Sequence, residues 1–84
     1  MAKLLYVGNL SLRTTSDDLE RLFSEAGGVN SAQVMTHPNT GDSKGFGFVE
    51  MSNDGEADAA IAQFNGRELN GKKMQVNVAR NQYP

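Results

Sequence analysis

The run Lys44-Gly45-Phe46-Gly47-Phe48-Val49-Glu50-Met51 sets two phenyl rings two residues apart, with a cation at its start and a glycine on either side of the first ring. In an extended strand, residues two apart project from the same face, so Phe46 and Phe48 share one surface. Flat apolar rings beside a cation suit the stacking of nucleobases, with Lys44 turned to the phosphate backbone. Gly45 and Gly47, lacking side chains, are expected to leave those rings open to a flat ligand. An earlier apolar stretch, Leu4 to Leu10, adds a third ring: Leu5 and Val7 suit a core, which turns Leu4 and Tyr6 the other way.

Nucleophilic and metal chemistry have no comparable support. With no Cys and a single His, His37, the chain carries no thiolate and no set of metal ligands. His37 sits in a turn-rich stretch without a Ser/Asp or Cys partner near it in sequence, and is read as solvated. A dinucleotide loop is ruled out because the third Gly of G-x-G-x-x-G falls at Glu50. Asn9-Leu10-Ser11 matches a glycosylation sequon by chance, and Asn9 is expected to tie down the turn after the first strand. No catalytic residues and no cofactor are expected.

Eighty-four residues, 38% of them apolar, describe one domain spanning 1–84. No apolar run approaches the ~18 residues of a membrane span, and Met1-Ala2-Lys3 leads into a strand-like stretch rather than a signal peptide. The expected setting is the cytoplasm, with no membrane and no metal.

Periodicity supplies the elements that must carry the rings. After the first strand, Thr15 is an N-cap with Asp18 three residues on, and Leu19, Leu22, Phe23 and Ala26 form the stripe of a helix about a dozen residues long that stops at Gly27-Gly28. Val29 to Met35 reads as a second strand, with Ala32 and Val34 inward and Gln33 and Met35 outward. His37 to Asp42 is a hairpin loop and Gly45 to Met51 the third strand. Asn53 or Asp54 caps a second helix with Ala57, Ala60, Ile61 and Phe64 on its stripe, ended by Asn65-Gly66. A loop containing Asn70-Gly71 leads to a last strand, Met74 to Ala79.

The order is β-α-β-β-α-β, an α+β ferredoxin-like plan. Two crossovers of one hand bring both helices to one face of a four-stranded antiparallel sheet, leaving the other face bare. Three of the six aromatics, Tyr6, Phe46 and Phe48, then lie on that bare face. Each Phe left in water forgoes ~1.5–3 kcal/mol of burial, so a ligand is expected there. A one-residue slip of the third strand buries both rings instead, but it also buries Glu50 without a partner, at a cost of several kcal/mol.

Charge follows the same division. The two helical segments hold seven acids against Arg21 alone, whereas the rest of the chain holds seven cations against three acids. The net charge of -2 opposes a partner held mainly through phosphates. A two-sided molecule follows if helices and strands segregate.

The sequence resembles the RNA recognition motif family over nearly its whole length. Leu5-Tyr6-Val7-Gly8-Asn9-Leu10 is similar to the family's RNP2 hexamer and Lys44 to Met51 to its RNP1 octamer. The resemblance implies that these strands lie side by side at the sheet's centre and that Tyr6, Phe46 and Phe48 stack on bases. Two positions depart from the pattern: Met51 stands where the family usually has Phe or Tyr, and Leu4 where it often has a basic residue. Phe64-Asn65-Gly66 and Val76-Asn77-Val78-Ala79 are similar to small one-domain bacterial members and to chloroplast ribonucleoprotein domains, and a bacterial cytosolic protein is expected, with an organellar or nuclear setting as the alternative for a domain of a longer eukaryotic protein.

The expected ligand is single-stranded RNA, with single-stranded DNA as its near relative, bound by a monomer that acts as a post-transcriptional regulator or RNA chaperone. The binding residues are expected to be Tyr6, Phe46 and Phe48, with Lys44, Gln33, Met35, Gln75, Asn77 and Arg80 around them. The competing reading covers the same face with an apolar peptide or a second copy of the chain, and Leu4 and the net acidity favour it. An acyl-phosphate hydrolase on this plan needs an Arg in a phosphate loop, for which Arg13 near Gly8 is the sole candidate.

Overall fold

The computed structural model describes residues 2–79. Its elements are β1 (Lys3–Gly8), α1 (Ser16–Phe23), β2 (Val29–Thr36), β3 (Ser43–Met51), α2 (Asp54–Phe64), β4 (Glu68–Leu69), β5 (Lys72–Lys73) and β6 (Gln75–Val78). The main sheet has the order β2-β3-β1-β6 with every pairing antiparallel, so the two motif-bearing strands are central. α1 packs over β2 and β3, and α2 over β1, β3 and β6. The expected α+β two-layer architecture is the one observed.

Alternation assigned the buried face correctly. Leu5, Val7, Val49, Met51 and Val76 are fully buried under Leu19, Phe23, Ala57, Ala60 and Phe64 of the helices. Phe23 and Phe64 meet at the centre with ring centroids 4.8 Å apart. Burying such side chains contributes ~1.5–3 kcal/mol each, which holds the third strand in register and leaves Phe46 and Phe48 on the far face.

α1 starts as expected, through a reciprocal capping box: Asp18 N–H donates to Thr15 Oγ1 at 3.1 Å and Thr15 N–H to Asp18 Oδ2 at 3.0 Å. Its end departs from expectation, since the helix stops at Phe23, four residues short of Gly27. Ser24 Oγ donates back to Glu20 O at 2.6 Å, and the N–H groups of Glu25 and Ala26 turn to the carbonyls of Leu22 and Phe23 three residues back. The chain tightens out of the helix there, and Ala26 still packs against the core. A Cβ on Gly27 would lie 2.5 Å from the Glu56 side chain, and Gly28 N–H donates to Glu56 Oε1 at 3.0 Å. The glycine pair therefore lets the chain pass close to α2.

Asn53 is the cap of α2, accepting from Glu56 N–H at 2.8 Å. The loop expected around Asn70-Gly71 is a hairpin, in which β4 and β5 pair Leu69 with Lys72. Asn70 and Gly71 have φ of 53° and 89°, the left-handed pair that a two-residue hairpin turn requires. Each outer strand of the main sheet has one edge N–H taken by a side chain: Val34 N–H donates to Ser16 Oγ and Val76 N–H to Asn65 Oδ1. Those caps oppose strand addition at the edges.

Candidate nucleic-acid interface

Strand register lines up one row of side chains across the helix-free face. β3 pairs Phe48 with Gln33 of β2 and with Tyr6 of β1, and Tyr6 pairs with Asn77 of β6, giving Gln33–Phe48–Tyr6–Asn77. The three rings close into a triangle: Tyr6 lies 5.9 Å from both Phe46 and Phe48, which are 6.1 Å apart. These separations fall in the range where aromatic pairs attract, and two of the contacts are edge-to-face. All three rings are half-buried, so each is steadied by its neighbours and still presents surface to a ligand.

Gly8 sets the pose of Tyr6. A Cβ there would stand 2.7 Å from both Cε2 and Oη of the tyrosine and 3.0 Å from Cζ, so the ring leans along β1 over a residue that has no side chain. Gly8 pairs with Gln75 of β6, which brings that amide into the row beside the rings.

Gly47 serves the backbone rather than ligand access, which corrects the expectation for that residue. Gly47 is buried on the helix side, where a Cβ would lie 2.3 Å from Gln33 O and 2.9 Å from Val34 Cα. Its role is the close approach of β2 at the register shift between Val34 and Thr36. Gly45 has φ of 85°, open to glycine at little cost, and its carbonyl accepts from Leu10 N–H at 2.8 Å.

The other expected site residues divide. Gln33, Gln75 and Asn77 are exposed in register with the rings, whereas Met35 is half-buried opposite the extra residues of β3 and outside the aligned row. Lys44 is exposed, beyond the left-handed turn of Gly45. Arg80 lies outside the described residues. Sequence reasoning missed Gly8, and it did not identify the row Ser31–Glu50–Leu4 that borders the rings on their other side.

Asn9 has the expected anchoring role: its Nδ2 donates to Lys73 O at 2.8 Å, and Asn70 Nδ2 donates to Thr14 Oγ1 at 3.0 Å. The two bonds fasten the small hairpin to the β1–α1 connection. Charge segregation is less complete than composition suggests, because Arg67 turns to the helix layer, 5.5 Å above the Phe64 ring and 3.9 Å from Glu25. Surface concavities of about 560 and 280 Å³ border α1, and neither includes a ring of the triad. Among the described residues no cluster of His, Cys, Asp and Glu could hold a metal ion, and no helix is long and apolar enough to cross a membrane.

Comparison with known proteins agrees with this geometry. The family model described as RNA recognition motif matches residues 5–75. The chloroplastic RNA-binding protein CP31B of Arabidopsis thaliana is 52% identical over 75 residues, 89% of this chain and 26% of that protein. RbpE of Nostoc sp. is 49% identical over 76 residues, 90% of this chain and 77% of that protein. The chain thus spans about a quarter of the chloroplast relative and about three quarters of the cyanobacterial one. The crystal structure of RNA Binding Protein PG1 superposes with a TM-score of 0.89 at 41% identity, covering 98% of each chain.

Proposed function

Because the chain belongs to the RNA recognition motif family, we propose that it binds single-stranded RNA without catalysis, stacking bases on Tyr6, Phe46 and Phe48. The observation that carries this reading is the triangle of half-buried rings on the face that no helix covers. Gln33, Asn77 and Gln75 offer amides to base edges, which are accessible in a single strand. Lys44 meets phosphate, and Met35 packs at the margin. Arg80 remains an expectation from sequence.

Each stacked base contributes ~1–3 kcal/mol, so two or three bases sustain affinities of order micromolar. Few phosphate contacts make the salt dependence shallow. Residues 1–84 form one domain in this reading, working as a monomer in RNA regulation or chaperoning. Its relatives include chloroplast and cyanobacterial proteins, and the bacterial cytoplasm is the location we favour.

Replacing Phe46 and Phe48 together by Ala tests the platform. The double variant is expected to lose most affinity for short U-rich and A-rich oligomers while keeping its amide NMR dispersion. Wild-type binding by that variant overturns the reading.

A further inference from the structure

Beside the aromatic row, β3 pairs Glu50 with Ser31 on one flank and Leu4 on the other. Glu50 follows Phe48 by two residues, so it rises from the same face as the rings, and it is half-buried there. The two ion pairs among the described residues, Arg21–Asp18 and Arg67–Glu25, leave it out, and none of the described hydrogen bonds reaches its carboxylate. Leu4, 43% exposed, walls one side with an apolar surface.

An ionised carboxylate accepts hydrogen bonds and donates none, and it repels phosphate. Next to a stacking platform, it calls for a base edge that donates. The four bases differ sharply in this respect. Adenine and cytosine set their amine beside a ring nitrogen that is itself an acceptor. Uracil sets one N–H between two carbonyl oxygens, both of which oppose a carboxylate. Guanine alone presents two adjacent donors, N1–H and N2–H2, matching the two carboxylate oxygens.

We propose that Glu50 is a specificity-determining residue that selects guanine at the edge of the platform. The inference rests on the RNA-binding reading above and adds to it a base preference. Ligand burial against Leu4 strengthens the pairing by excluding water from the charged bonds. A Gln at this position offers one acceptor and one donor group, so it cannot receive both guanine donors.

The test uses the full chain, its E50Q and E50A variants, and uridine tracts in which a single guanosine is scanned along the oligomer. Wild-type protein is expected to bind the best guanosine-containing tract about tenfold more tightly than all-uridine RNA. In E50Q and E50A that preference falls toward unity, while all-uridine binding is kept or rises as the repulsion is removed. Replacing the guanosine by its 2′-deoxy form keeps the preference if the base edge is read; its loss moves the contact to the ribose and overturns the proposal. Equal wild-type affinities, or a preference surviving in both variants, also overturn it while leaving RNA binding intact. Failure to bind any tract, with the fold retained, sinks the RNA-binding reading itself.

Discussion

Replacing Gly8 by Ala adds one methyl group to the open face of β1, and its consequence falls on Tyr6. The new Cβ would meet the ring at 2.7 Å, where ordinary contact begins at 3.4 Å, so the ring edge must retreat by about 0.7 Å. The atoms in the way belong to the far end of a side chain, not to backbone, so the strand accommodates the change and stability is nearly unaltered. The ring, however, leaves the position that puts it 5.9 Å from both phenylalanines. At most the stacking of one base is lost, ~1–3 kcal/mol or roughly 5- to 150-fold in Kd. Fluorescence anisotropy with a labelled oligomer at fixed salt, beside a thermal melt, measures both quantities. Because the glycine acts through the ring, G8A is expected to add little in a Tyr6→Ala background, as a double-mutant cycle reads it. Full additivity of the two changes, or wild-type affinity in G8A, refutes the reasoning.

The other RNP glycine predicts the opposite behaviour. In G47A the new Cβ would meet the backbone at Gln33 O and Val34 Cα, so β2 must shift from β3 and stability falls by at least ~1–3 kcal/mol, read as a lowered Tm. At the start of α1, Asp18 titrates below its ordinary value of 3.8, chiefly through the bond from Thr15 N–H, and to a lesser degree through the Thr15 hydroxyl and Arg21. Since the folded form holds the carboxylate ionised, its contribution is complete above the unfolded value and is lost as pH falls through the folded one. Chemical denaturation of wild type and D18A should differ at neutral pH and converge in acid; a constant difference across that range refutes the assignment.

Much of the site was legible because alternation is a local property. Leu5, Val7, Val49 and Met51 had to share a face, and their burial turns Tyr6, Phe46 and Phe48 away from the core whatever the details of packing. The capping box at Thr15 was legible for the same reason, since donor and acceptor lie within one turn, and the second cap was narrowed to Asn53 or Asp54, of which the structure uses Asn53. Part of what the reading missed depends on contacts between distant segments. The close passage of Gly27-Gly28 depends on Glu56 of α2, whereas the early end of α1 is local, set by Ser24 to Ala26 turning back on the last helical turn, and no helix-stop residue at Ser24 announced it. The Asn70-Gly71 hairpin had a local signal, yet its strands of two residues are too short to show a period.

The residue types and their spacing in the chain therefore settled which rings face outward, how many elements carry them and that both helices cover one face. Only the folded arrangement decided which residues stand beside those rings. The pairings Gln33–Phe48, Tyr6–Asn77 and Ser31–Glu50–Leu4 join strands far apart in sequence, and a register shift, with the extra residues on β3, separates Met35 from that row. The space that Gly8 yields to Tyr6 and that Gly47 yields to β2 likewise exists only when the partners are in position. Facing within a strand follows from alternating backbone geometry and is written in every second residue; neighbours across a sheet follow from register, which is set by packing against the helices and by hydrogen bonds between strands.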